Sequence, residues 1–221
     1  MTMLLIINFF PFIKEIMSLS WRTPWGVITS IFIHRDIEHF LLNFQAIVTF
    51  LLFYILLNIL NKGIKIEYLP FYFCPLLSAI LANLCSLLMF PEYTSLGASG
   101  VSSAMESYDF ALALIYLIAN FKGKEDSAYI NKYANLFNAF IIFYIFLDIL
   151  FSPSYSRNPN YNAFVHWVSF FVNFIIVTII FSEELLIHFL FFCTSIIIFL
   201  LRYVTRCTIL IESTRYHPRF K

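Results

Sequence analysis

Charged residues are scarce in this chain of 221 residues, where Asp, Glu, Lys and Arg together make up 12%. A soluble domain carries about 25% charged residues. Hydrophobic residues instead make up 61%, and Phe alone occurs 28 times. That is more apolar surface than one soluble core of this length can bury, so we predict a membrane protein with lipid as most of its solvent. The formal net charge of +1 gives no reason to expect a nucleic-acid partner.

Other familiar features are lacking too. The cysteines lie in or beside apolar runs without metal-ligand spacing, so we interpret them as small hydrophobes rather than disulfides or metal ligands; they are Cys74, Cys85, Cys193 and Cys207. The chain has no Gly-rich phosphate loop, and we expect no cofactor. The start, MTMLLIINFFPFI, has neither a basic leader nor an A-x-A-like site, so we expect no cleavable signal peptide. Without an internal repeat or a soluble second domain, residues 1–221 are predicted to form a single membrane domain.

Six apolar segments are long enough to cross a bilayer as helices, which takes about 20 residues each. They are roughly residues 36–60, 69–90, 97–121, 134–151, 162–181 and 184–203. A further segment, 1–19, is shorter and contains Pro11; we predict a first span here, with a helix lying at the interface as the alternative. The predicted fold is therefore all-α. It is a polytopic bundle with a core over about 1–181, an additional C-terminal helix over 184–203, and a basic tail over 204–221.

The connectors between these segments differ in charge. Basic residues gather in 61–67 and 122–132, whereas 91–95 and 152–160 hold a single Arg between them. The positive-inside rule then places the first two connectors in the cytoplasm and the other two outside, in a multi-pass protein of the cell membrane. Arg22, Arg35 and the basic tail oppose this orientation, which leaves the reverse open.

Polar side chains gather near the starts of three predicted spans that run in the same direction. His39, Ser99 and His166 each lie about 5 Å below the start of their segment at 1.5 Å per residue. Asn43 follows His39 by one turn on the same helix face. Because polar groups inside a membrane are expensive, a hydroxyl, two imidazoles and an amide at similar depth indicate a functional site.

The chemistry available to such a set is acyl transfer. Ser99 is a weak nucleophile unless a base takes its proton, and His166 can be that base. The oxyanion that forms needs donors aimed at it, and the backbone N–H of Ser99 and the side chains of His39 and Asn43 can supply them.

Two glycines, Gly97 and Gly100, flank this serine and allow the backbone to bend and to approach a substrate closely. Taken alone, a G-x-S-G sequence more often marks close helix packing. A single intramembrane histidine is more often structural or part of a relay. The combination at one depth favours the catalytic interpretation.

In chain order these residues resemble the rhomboid family of intramembrane serine proteases. The pattern spans about residues 21–180 and consists of Trp25-x3-Thr29, Phe32-x-His34-x4-His39-x3-Asn43, Gly97-Ala-Ser99-Gly100 and His166. The resemblance implies a six-helix core, to which a further C-terminal helix is a known addition. It also implies a Ser–His dyad without a third acid, Ser99 being the nucleophile and His166 the general base and acid.

The resemblance assigns supporting roles as well. His39, Asn43 and Gly97 would support the oxyanion, and His34 would order a water-accessible cavity. Substrates would be single-span transmembrane proteins in the lipid bilayer, cut near the outer end of their helix.

The chain departs from the family pattern at three positions around the predicted base. Ser169 and Asn173 stand where the family usually has glycines, and Ser103 stands where it often has an aromatic residue that stacks on the base. We expect a stripe of small residues in the serine helix to compensate for the missing glycines; it comprises Gly100, Ala104, Ser107 and Ala111.

Glu106 and Asp109 lie about 10–15 Å deeper than Ser99. We expect them to hydrogen-bond Asn173 or another polar group, or to line a water pocket. They also keep two alternatives open. One is a catalytically inactive rhomboid-like protein that binds clients. The other is a proton-coupled transporter that uses these carboxyls with His166, although such transporters commonly have an inverted repeat.

Overall fold

The part of the chain that the structure describes is built from helices. This computed structural model describes residues 11–61, 68–90, 96–121, 128–152, 155 and 163–181, all within one unit, Met1–Phe181. In chain order the helices are α1 (Pro11–Met17), α2 (Gly26–Thr29), a 3-10 helix (Ser30–Phe32), α3 (Ile37–Leu60), α4 (Tyr68–Met89), α5 (Ser99–Phe121), α6 (Ala128–Phe151) and α7 (Ala163–Phe181). The predicted all-α class is confirmed.

Five of these helices, α3 to α7, are long and apolar enough to cross a membrane. They confirm five predicted spans and an integral multi-pass protein. The helix predicted over 184–203, the tail over 204–221 and residues 1–10 lie outside the described residues. Helix α6 begins at Ala128 rather than at 134, because its first turns are polar and hydropathy marks the membrane-crossing part rather than the helix end.

Helix α5 is the centre of the bundle and packs against α3, α4, α6 and α7. Its predicted stripe of small residues, which runs from Gly100 to Ala111, is buried. Large apolar side chains instead point outward on the flanking helices, as Leu41 and Leu52 do on α3 and Phe143 and Leu150 do on α6. This arrangement suits lipid, because close packing rather than hydrophobic exclusion joins helices inside a bilayer.

Hydrogen bonds hold α5 against α7 where the family usually has glycines. Asn173 Nδ2 donates to the carbonyl of Ala104 at 2.7 Å, and Ser107 Oγ donates to the carbonyl of Phe170 at 2.7 Å. Ser78 Oγ on α4 lies 3.3 Å from Asn173 Oδ1. Asn173 thus bonds backbone and serine groups, and no hydrogen bond joins it to Glu106 or Asp109 among the described residues. Of the alternatives expected for Glu106, a hydrogen bond to another polar group is the one found, and that group is Tyr155.

A second polar layer joins the opposite ends of α3, α5 and α6, about 30 Å along α5 from Ser99. We call it the asparagine cluster; it comprises Asn61, Asn120, Asn135 and Asn138. Asn61 and Asn138 exchange two side-chain hydrogen bonds of 3.0 Å. Asn120 donates to Asn61 at 3.2 Å and to Asn135 at 2.8 Å.

The segment before α3 is more ordered than a connector. Trp25 Nε1 donates to the carbonyl of Ile16 at 2.7 Å, and Thr29 Oγ1 donates to that of Met17 at 2.9 Å. Asn83 Nδ2 on α4 donates to the carbonyl of Val27 at 3.1 Å. The sequence did not predict α2 or the 3-10 helix, because these segments are too short to show a repeating pattern of apolar residues.

Candidate active site

A left-handed glycine shapes the turn before α5. Gly97 has a φ of +109°, which L side chains rarely adopt. Its N–H donates to the carbonyl of Ser30 at 2.9 Å. A Cβ added at Gly97 would lie 2.7 Å from His39 Cε1 and 3.2 Å from Asn43 Nδ2. The turn therefore requires glycine for two reasons, the positive φ and the lack of room for a Cβ. It lies directly against His39 and Asn43.

Ser99 is the first residue of α5, and its side chain is partly exposed. The predicted helix start at 97 was wrong by two residues, since the left-handed Gly97 cannot be helical. Ser99 therefore lies at the mouth of the helix rather than one turn inside it. The first N–H groups of a helix have no intrahelical acceptor, so the N–H of Ser99 can donate to a bound group.

The start of α3 fixes the groups that face this turn. Asp36 caps the helix, its Oδ1 accepting from the N–H of His39 at 2.7 Å. His34 Nε2 accepts from the N–H of Ala98 at 3.3 Å. Asn43 is buried, and its Nδ2 finds no hydrogen-bond partner within the described part of the chain. A buried amide donor without an acceptor costs free energy, and it is available to donate to an oxygen atom of a bound ligand.

His34 is neutral near neutral pH. Burial, and then the neighbouring His39, lower the pKa of His34 to about 4, although Asp36 acts in the opposite direction. A neutral imidazole has one nitrogen with a lone pair, which is what the N–H of Ala98 requires. The pKa of Asp36 is lowered by the N–H of His39 and then by the side chain of Arg35.

His166 lies buried in the first turn of α7. Its Nδ1 is 2.6 Å from Ser103 Oγ, and the ring of Tyr155 meets it edge-on with centroids 5.8 Å apart. Ser103 and Tyr155 thus hold the His166 ring in place. In the family pattern, an aromatic residue at position 103 would hold that ring by stacking on it.

The first turns of α5 and α7 touch. A Cβ at Gly100 would lie 3.0 Å from Ser169 Oγ and 3.1 Å from Val165 Cγ1. Ser99 and His166 are the chain neighbours of Gly100 and Val165. Within the described residues, His166 is hydrogen-bonded to Ser103 rather than to Ser99, so the pairing of Ser99 with His166 stays a prediction.

Sequence reasoning missed Tyr155, which lies between α6 and α7. Its hydroxyl donates to Glu106 Oε2 at 2.5 Å, and Asp148 on α6 interacts with the same carboxyl. A single aromatic residue in a polar connector belongs to no motif or periodic pattern that would have predicted its role. Asp109 is fully buried, and both its oxygens lack a hydrogen-bond partner among the described residues. The His, Cys, Asp and Glu side chains that the structure describes form no group of three or more suited to a metal ion.

Comparison with known proteins identifies the family of the chain. A family model described as the Rhomboid domain matches residues 22–183, which include α2 to α7 and every predicted site residue. No curated protein and no solved structure matches the chain. With more than half of its length matched by that family, the chain belongs to the rhomboid family.

Proposed function

We propose that this rhomboid protein is an intramembrane serine endopeptidase with Ser99 as nucleophile and His166 as general base and acid. The observation that carries the proposal is the left-handed turn at Gly97. It lies against His39 and Asn43 immediately before Ser99, so potential oxyanion donors from two helices meet at one peptide. The alternatives of an inactive client binder and of a transporter give no reason for this convergence.

Two serines lie near His166, and the surroundings of each favour Ser99 as the nucleophile. Ser103 is 3% exposed and lies one turn inside α5, where its N–H belongs to the helix and cannot serve a substrate oxygen. Ser99 lies at the partly exposed helix mouth with its N–H available. A peptide can reach Ser99, whereas Ser103 is placed to hold the base.

The oxyanion would be stabilised by donors that are already in position. Neither the N–H of Ser99 nor the side-chain amide of Asn43 has a hydrogen-bond acceptor among the described residues. His39, with its backbone fixed by Asp36, is the third. Such donors lower the barrier because they need little reorganisation as charge develops on the substrate oxygen.

The proposed reaction has two stages. His166 Nε2 takes the hydroxyl proton of Ser99 while Oγ bonds to the substrate carbonyl carbon, and collapse of the oxyanion breaks the C–N bond as His166 protonates the leaving amine. Water then attacks the acyl-enzyme, gives its proton to His166, and releases the acid as the proton returns to Ser99. The substrate class that fits is a single-span transmembrane protein whose helix unwinds near the outer membrane face.

The test is cleavage of a model single-span substrate by the purified protein in lipid vesicles. We expect cleavage that Ser99→Ala and His166→Ala both abolish. Ser18→Ala is the matched control, because Ser18 is a buried serine whose hydroxyl donates to the carbonyl of Glu15, away from the proposed site. Cleavage that persists in Ser99→Ala, or a wild-type protein that cuts none of a broad panel of substrates, would refute the proposal.

A further inference from the structure

A line of buried polar groups leads away from His166 into the bundle. Ser103 Oγ lies 2.6 Å from His166 Nδ1, and the ring of Tyr155 meets the same imidazole edge-on with centroids 5.8 Å apart. The Tyr155 hydroxyl donates in turn to Glu106 Oε2 at 2.5 Å. Ser103 and Glu106 are three residues apart on α5, so they share one helix face. The three residues behind the histidine are 2–7% exposed.

The direction of these hydrogen bonds follows from the donors available. A phenol has one O–H, and that of Tyr155 is given to Glu106. The oxygen of Tyr155 is therefore left as an acceptor, and Ser103 is the neighbouring hydroxyl that can donate to it. A Ser103 hydroxyl that donates to Tyr155 has only its oxygen left for His166, so that oxygen accepts from Nδ1–H, which is the direction that the proposed role of His166 as base requires. Nε2 of His166 is left with the lone pair.

We propose that Ser103, Tyr155 and Glu106 form a positioning relay that holds His166 as its Nδ1–H tautomer, with Nε2 free to act as base. This inference rests on the proposed role of His166. The relay does for this histidine what the third residue of a catalytic triad does for its base, namely fixing the ring and its tautomer. It does so with two hydroxyls between the ring and the carboxyl.

The relay needs an acceptor at residue 106 rather than a charge. Asp148 lies near the same carboxyl, and two anions held together in a membrane interior are expensive. A protonated carboxyl keeps its carbonyl oxygen as an acceptor. Burial, and then Glu106, raise the pKa of Tyr155 well above its usual value, so the phenol remains a donor.

Aromatic packing keeps the relay in place. The Tyr155 ring also meets Trp167, with ring centroids 4.9 Å apart, and Phe170, with centroids 6.3 Å apart. These contacts fix the Tyr155 hydroxyl between α5 and α7. A water molecule, which can donate and accept in any direction, would not impose one tautomer.

The test reads the tautomer directly, by 15N NMR of histidine-labelled protein in lipid without substrate, the His166 signals being assigned by their loss in His166→Asn. We expect Nδ1 protonated in the wild type, and a mixed or Nε2–H state in Ser103→Ala, Tyr155→Phe and Glu106→Leu. Ser103→Thr and Glu106→Gln keep a hydroxyl and an acceptor, so they should retain Nδ1–H. Tyr116→Phe is the matched control, because Tyr116 on α5 gives its phenol to Asn58 at 3.1 Å, away from the relay.

Kinetics supply a second readout. We expect Ser103→Ala and Tyr155→Phe to lower kcat by about 10- to 100-fold while KM stays within about twofold, since a misplaced base slows chemistry without weakening binding. Ser103→Thr should restore most of kcat, and Tyr116→Phe should leave kcat unchanged.

An Nε2–H His166 in the wild type would overturn the relay. So would Ser103→Ala and Tyr155→Phe proteins that both keep the wild-type tautomer and kcat. If one of these variants fails to fold, the other decides. A wild-type protein without protease activity would refute the proposed function instead, while the NMR result would still decide the relay.

Discussion

The two polar layers of this bundle use similar side chains in opposite ways. In the asparagine cluster, Asn61 and Asn138 satisfy each other reciprocally, and Asn120 bridges the cluster with two donations. At the candidate active site, Asn43 is buried, as Asn138 is, whereas the other asparagines of the cluster are half-buried, yet the side-chain N–H groups of Asn43 have no hydrogen-bond acceptor among the described residues. Polar groups without hydrogen-bond partners are costly inside a bilayer. A closed layer, whose polar groups bond one another, therefore indicates a structural role, and an open layer, which keeps a donor without an acceptor, indicates a binding site for a ligand.

The backbone differs in the same way. Helices α3 and α6 are joined at the cluster by side-chain hydrogen bonds, whereas the turn at the candidate active site contains the left-handed Gly97, and its backbone N–H groups donate to Ser30 and His34. Changes at the two ends should therefore have separable effects. We expect substitutions at the turn before α5 to lower activity and substitutions in the asparagine cluster to lower stability.

The largest effect is expected for Gly97→Ala. The new Cβ would lie 2.7 Å from His39 Cε1 in a backbone conformation that alanine resists, so His39 and the peptide before Ser99 must both shift. We expect kcat/KM to fall by at least about 100-fold, because a displacement of about 1 Å has that effect. Cleavage of the single-span substrate measures it, and activity within threefold of wild type would contradict the assigned role of the turn.

Asn43 and Asn58 give the sharpest comparison within one helix. Both are buried on α3, but Asn58 donates to the carbonyl of Tyr54 at 2.7 Å and accepts from Tyr116. We expect Asn43→Ala to lower kcat by about 100-fold, as loss of one oxyanion donor does, with thermal stability nearly unchanged. Asn58→Ala should cost about 1 kcal/mol of stability with kcat per folded molecule unchanged.

Parallel measurements of kcat and of thermal unfolding in lipid separate the two asparagines. If Asn43→Ala destabilised the protein as much as Asn58→Ala and left kcat intact, Asn43 would be structural, and the distinction between open and closed layers would fail.

At the opposite end we expect Asn138→Leu to lower the free energy of unfolding by about 1–2 kcal/mol, since it removes a reciprocal hydrogen bond between the end of α3 and α6. The remaining Asn61 loses both its acceptor and its donor there. Unfolding in lipid measures the loss. Because the cluster is about 30 Å from Ser99, kcat should stay within about twofold. A tenfold loss of kcat would show that the two ends are coupled.

The smallest effect concerns pH. The pKa of His34 is about 4 when folded, against 6.5 ordinarily, so the unfolded chain takes up this proton first as pH falls. The stability from neutral His34 is complete above about pH 6.5 and is lost progressively as pH falls toward 4. We expect hydrogen exchange at the Ala98 amide to become less protected over this range, while the non-titrating asparagine cluster keeps its protection.

His34→Gln retains an acceptor that does not titrate, so the pH slope of protection at Ala98 should flatten in this variant. An unchanged slope would mean that another group controls the turn.

How far the sequence predicts this molecule depends on the kind of signal. Continuous apolar runs predict α3 to α7 because lipid requires them. The spacing of His39, Asn43, Ser99 and His166 predicts a common depth because helical rise is constant. The bonds of Ser103 and Tyr155 could not be predicted, since they depend on side-chain directions across helices and on a connector without periodicity. Gly97 was predicted as a flexible residue, but only the structure shows which contacts require it.

The most direct test of the central claim is to identify the serine that a fluorophosphonate labels in the folded protein in lipid. Peptide mass spectrometry should find the label on Ser99 and not on Ser103, and His166→Ala should remove it, because an unactivated serine is a weak nucleophile. Labelling of Ser103, or labelling of Ser99 that persists in His166→Ala, would contradict the account.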